Sequence, residues 1–94
     1  MTGSHSKVID NGAEHRFELA EGGANAIAAY RIEGDTISFT HTVVPEEIEG
    51  QGVGSRLVRG ALDQVREKGL RVAPLCHFVK GYIERHPEYQ DLLA

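Results

Sequence analysis

The hydrophobic pattern of this chain changes period at Pro45, and that change limits the folds open to it. Ahead of Pro45, apolar residues alternate with polar ones; from Val53 to Val65 they recur at helical spacing. The first pattern suits half-buried strands and the second an amphipathic helix. Between them lies "EGQGVGSRLV" (49–58), with glycines at 50, 52 and 54. Glycine at this density costs backbone entropy, so a local conformation must require it.

The strands are read from alternation and turn signals. "RFELA" (16–20) and "ANAIAAYRI" (24–32) flank the turn "EGG", and "EGD" (33–35) leads into "TISFTHTVV" (36–44). In this last strand, strict alternation puts Ile37, Phe39, His41 and Val43 on one face and Thr36, Ser38, Thr40 and Thr42 on the other. "KVIDN" (7–11), closed by Asn11-Gly12, reads as an edge strand. Pro45 ends the fourth strand because it has no amide hydrogen to give.

Past the glycines, Val53, Leu57, Val58, Ala61, Leu62 and Val65 form one apolar stripe, and Gly69 closes the helix. "LRVAPL" (70–75) is a short strand, and a second helix carries Phe78, Val79, Tyr82 and Ile83 before stopping at His86 ahead of Pro87. The expected fold is α+β: an antiparallel meander of three to four strands, a long helix, a parallel strand and a second helix. The crossover between the parallel strands is expected to be right-handed.

With 94 residues the chain is long enough for one domain. Residues 1–6 read as a flexible lead-in and 7–94 as a single compact domain. The net charge of −4 argues against nucleic acid and anionic membrane as main partners. The single cysteine, Cys76, forms no intrachain disulfide, which points to a reducing cytoplasm, and no apolar run is long enough to span a bilayer. No metal is expected, and a monomer or weak dimer is.

The glycine loop has two readings. A helix start preceded by glycines offers free amides and a positive dipole end, which together bind phosphate; a plain turn would use the same residues. A Walker loop is excluded because no lysine follows Gly54, and the spacing does not match a dinucleotide fingerprint.

Three segments taken together, "HTVVPE", "GQGVGSRLV" and "PLCHFVKGYIERHPEY", resemble the GNAT superfamily of N-acetyltransferases. The likeness is to a very small single-domain branch without the usual N-terminal helices, and it covers residues 17–89. It implies acetyl-coenzyme A as acyl donor and an unidentified amine, either a protein lysine or a small molecule, as acceptor. In that superfamily the loop reads [Arg/Gln]-x-x-Gly-x-[Gly/Ala], and Gly52 and Gly54 match its two small positions. The resemblance implies that Gln51, Gly52, Val53, Gly54 and Ser55 hold the pyrophosphate. It also implies that Val43 and Val44 hydrogen-bond the pantetheine arm. Glu49 stands where the family has Arg or Gln, and His77 follows Cys76 where proline or a small residue is usual.

Cys76 sits at the predicted start of the second helix, where the dipole favours thiolate. It matches a cysteine proposed as functional in the small branch; the competing reading is a buried, inert thiol. His41 is read either as a hydrogen-bonded core residue or as the general base for direct attack by the amine. Tyr82 and Tyr89 are candidate donors to a departing thiolate, with Tyr82 also fitting the core. His86 suits a helix end, and Lys80 and Arg85 a solvated face. The alternative to an enzyme is a non-catalytic coenzyme A-binding sensor or interaction module, suggested by the absent N-terminal helices.

Overall fold

The structure, a computed structural model, describes residues 8–94. The expected strand 7–11 therefore begins inside the described residues only from Val8, and 1–6 lie outside them. Five strands form one sheet in sequential order: β1 (Ile9–Asn11), β2 (Arg16–Glu21), β3 (Ala24–Glu33), β4 (Thr36–Val43) and β5 (Arg71–Pro74). The first four pair antiparallel, and β4 pairs parallel with β5. Helix α1 (Val53–Glu67) makes the crossover and α2 (His77–Arg85) follows β5. This is the α+β arrangement that the change of period predicts.

One face of the sheet is packed. Phe17, Leu19, Ala26, Ala28, Tyr30, Ile37, Phe39 and Val72 meet the α1 stripe and the Val79, Tyr82 and Ile83 side of α2 in one core. The rings of Phe17 and Tyr30 lie 5.3 Å apart and those of Phe17 and Phe39 6.0 Å apart. Helix α1 also holds the first strand. Gln64 Nε2 donates to the Val8 carbonyl at 2.8 Å, and Lys68 pairs with Asp10. Beyond Lys68 the helix ends as expected at Gly69, whose amide donates to the Arg66 carbonyl while the Leu70 amide donates to Val65.

The face assignment in β4 is corrected at its second half. Tyr30 stands opposite Phe39, yet Ala29 stands opposite His41, so Thr40 is an extra residue on β4. A bulge of this kind shifts the parity of everything beyond it. Ile37 and Phe39 are buried as expected, but His41 and Val43 are exposed and Thr42 turns to the packed side. His41 is therefore not a core histidine.

The chain from Pro87 to Leu92 forms a 3-10 segment that no periodicity announced, and it seats Tyr89 and Leu92 in the core. Past it, Leu93 bridges Val72, and the Ala94 amide donates to the Val72 carbonyl at 2.9 Å.

Candidate functional site

The loop after β4 makes a short 3-10 turn (Glu46–Ile48), buries Ile48, and enters α1 through Gly52. Gly50 and Gly52 have φ of 84° and 73°, left-handed values that side chains rarely adopt. No side chain caps α1, and its first turn carries no acidic residue. The amides of Val53, Gly54 and Ser55 are thus left for an outside acceptor, in the positive field of the helix end. At Gly54 a Cβ would lie 2.6 Å from the Phe78 ring, so a larger residue there would have to push that partly exposed ring aside. Arg56 braces the entry by donating to the Gln51 carbonyl and to Glu21, both at 3.3 Å.

These elements wall a cavity of about 500 Å³, lined by Thr42, Val44, Glu49, Gly50, Gly52, Val53, Gly54, Ser55 and Phe78. Its volume is in the range of small-molecule clefts. One wall is the edge of β4. Strand β5 pairs with β4 only from Thr36 to Phe39 and then stops at Pro74, after which the Cys76 amide donates to the Phe39 carbonyl at 2.9 Å. Beyond that bond the two strands part, and Thr42 and Val44 face the cleft.

Cys76 is buried directly behind this wall as the residue preceding α2. Its Sγ lies 3.3 Å from Thr42 Oγ1. Burial pushes the thiol up, but the Thr42 hydroxyl and the amides of Val79, Phe78 and Thr42 together outweigh it and hold the thiol below its ordinary value. No side-chain hydrogen bond caps α2. Alkylation of the native protein by iodoacetamide is expected to rise with pH through a lower midpoint than that of the urea-unfolded chain. A native midpoint at or above the unfolded one would remove the case for a stabilised thiolate.

The cleft thus gathers Val44, Gly52, Val53, Gly54 and Ser55 from the sequence-based set, and places Cys76 one hydrogen bond behind Thr42. Gln51 contributes a carbonyl to Arg56 and is not part of the lining. Val43 pairs with Ile27 and is half exposed away from the cleft. His41 is exposed on the other side of β4 and does not line the cleft. Tyr82 is buried and stacks on His86, with ring centroids 3.9 Å apart. Tyr89 donates to Asp63 at 2.7 Å; burial and that carboxylate push its hydroxyl pKa well up. Lys80 and Arg85 are exposed, as expected.

Thr42 and Phe78 were not singled out as site residues by sequence. Thr42 is hidden by the bulge, and a phenylalanine at helical spacing reads as core until Gly54 is seen to lie under its ring.

The donor set fits a pyrophosphate: free amides, two left-handed glycines and no carboxylate in the first helical turn. Glu49 at the rim is the one opposing charge among the lining residues. Among the described residues there is no grouping of His, Cys, Asp and Glu that could hold a metal, and no helix is long and apolar enough to cross a membrane.

Comparison with known proteins agrees with this fold. The family model for the GCN5-related N-acetyl-transferases matches residues 16–92. The NMR solution structure of a GCN5-like protein from Staphylococcus aureus is 31% identical with a TM-score of 0.71, over 94% of this chain and 87% of that one. No curated protein gives a significant match. The glycine loop, the parted strands and the thiol behind them therefore sit in a chain that belongs to the GCN5-related N-acetyltransferase family.

Proposed function

We propose that this protein transfers an acetyl group from acetyl-coenzyme A to an amine, and that Cys76 carries the group between them. The observation that supports this most is a single cleft leading from the uncapped start of α1 to Thr42, which touches the Cys76 sulfur. The donor supplies a thioester, an acyl group already activated for transfer. The amides of Val53, Gly54 and Ser55 hold its pyrophosphate, and the β4 edge at Thr42 and Val44 aligns the extended arm.

The Cys76 thiolate attacks the carbonyl carbon, and the bond from that carbon to the coenzyme sulfur breaks. Coenzyme A leaves as a thiolate and takes a proton from solvent. The amine then attacks the acetylated cysteine, the Cys76 thiolate departs, and the amine loses its extra proton to water. Thr42 hydrogen-bonds the sulfur in both half-reactions. His41 does not line the donor cleft, whereas the Cys76 sulfur stands one hydrogen bond behind its wall, and this favours the cysteine route.

Incubation with acetyl-coenzyme A and no amine is expected to add one acetyl group to the peptide holding Cys76, removable by hydroxylamine. Binding without any acetylation or turnover would instead favour a coenzyme A sensor. Gly52→Val is expected to weaken acetyl-coenzyme A binding about tenfold or more. A β-branched residue resists the left-handed conformation, and its methyl groups stand where phosphate must approach the amides. Arg59→Ala, on the exposed side of α1, should bind as the wild type does. Calorimetry reads both. No heat and no thermal shift at millimolar ligand would rule out the donor site.

A further inference from the structure

A second concavity, of about 660 Å³, lies across β3 from the turn before β2 to the bulge of β4. Its lining includes His15, Tyr30, Arg31, Ile32, Thr40 and His41 and contains no carboxylate, although the chain as a whole is acidic. We propose that this concavity holds the acceptor, an amine that also carries a carboxylate or phosphate group. The assignment rests on the acetyl-transfer reading above and adds the class of acceptor.

Two separate irregularities of the backbone bring the imidazoles here. Among the described residues, His15 is the non-glycine residue with positive φ, at 56°, a conformation that costs stability outside glycine. His41 reaches the concavity because Thr40 is an extra residue; a regular strand would have turned it into the core beside Phe39. Neither imidazole has a hydrogen-bond partner among the described residues, and His15 meets Tyr30 edge-on at 6.3 Å. Arg31 adds a guanidinium whose contact with Glu33 is long, at 3.9 Å, and exposed on both sides, so it holds the group weakly. An arginine fork and two imidazoles suit a planar or tetrahedral oxyanion, which accepts from each of them.

The position also suits transfer. His41 is followed by Thr42, which turns to the other side and touches Cys76. Next to these residues β5 has ended, so the sheet is open at this edge. Arg31 lies on the neighbouring strand, about 5 Å from β4. The amine of such an acceptor, its anion held at Arg31 and His41, has only the open edge of β4 between it and the acetylated thiol.

Coenzyme A release from acetyl-coenzyme A is measured with three amines of similar size: β-alanine, O-phosphoethanolamine and ethylamine. Faster release with one or both anionic amines is expected, and which of them wins distinguishes carboxylate from phosphate. Arg31→Gln, an exposed change that leaves the core intact, should raise the KM of the preferred amine about tenfold. Equal release with all three, including none with any, overturns the assignment, as does an unchanged KM in Arg31→Gln. Amide NMR of the whole chain keeps the two readings apart. Inorganic phosphate should move His15, Arg31 and His41, whereas acetyl-coenzyme A should move residues 50–55. Phosphate shifts confined to residues 50–55 overturn the acceptor site and leave the donor site standing. If acetyl-coenzyme A leaves residues 50–55 unmoved, the acetyl-transfer reading fails and the acceptor assignment falls with it.

Discussion

Cys76→Ala is expected to lose acetyl transfer by at least about a thousandfold while binding acetyl-coenzyme A as tightly as the wild type. On the proposed route the substitution removes the atom that takes the acyl group but touches none of the amides assigned to the donor, so the loss falls on turnover and not on affinity. Cys76→Ser is the closer steric control, since a hydroxyl lacks the thiol's readiness to ionise near neutral pH. Stopped-flow release of coenzyme A, with calorimetry on the same samples, separates the two effects. Direct attack by the amine predicts otherwise: no acetylated intermediate, and in His41→Ala a fall in kcat rather than a rise in the KM of the amine. Wild-type turnover in Cys76→Ala would return the thiol to a packing role beneath Thr42.

Phe39→Ala should destabilise the fold by about 3–5 kcal/mol, a large share of what a domain of this size commands. The ring is 1% exposed, lies against Phe17 and Tyr30, and occupies the last position at which β4 and β5 are paired. Urea denaturation measures the loss, and Phe39→Leu should lose less because most of the cavity stays filled. The variant is informative about the site as well. The Phe39 carbonyl receives the Cys76 amide, and the bulge begins at the next residue, so a cavity here loosens the thiol and Thr42 together. Amide exchange at Thr42 and Cys76 should accelerate in Phe39→Ala. Unchanged exchange there would mean that the core and the thiol are held independently.

Most of the fold was legible because its elements are strongly periodic. The apolar stripe of α1, the Gly69 stop, the paired turns of the meander and the proline-limited ends of β4 and α2 all follow from local chemistry. What alternation could not show was a change of parity inside β4. A bulge at a threonine leaves no mark in composition: residues 36–44 still read as a regular strand, and one inserted position exchanges His41 for Thr42. That exchange decided the cleft, because it turned the imidazole to the opposite side of β4 and supplied the hydroxyl that touches Cys76. The glycine loop was readable because φ near 73° at Gly52 demands glycine whatever surrounds it. Phe78 and the 3-10 segment from Pro87 to Leu92 were not, since both depend on contacts distant in sequence.

The flanks of the sheet bear on how the protein behaves in a crowded solution. Leu93 and Ala94 lie along the outer side of β5, and β1 is three residues long with Asp10 tied to Lys68. A long bare flank is a template on which another chain can add a strand, and from there fibres grow. Here one perimeter is occupied and the other is too brief to seed such growth, so concentrated solutions should stay free of strand-exchanged aggregates. Past Phe39 only the short stretch of β4 up to Val43 is left unpaired by β5. In the function proposed above, that unpaired stretch of β4 serves the slender arm of the thioester and not a further strand.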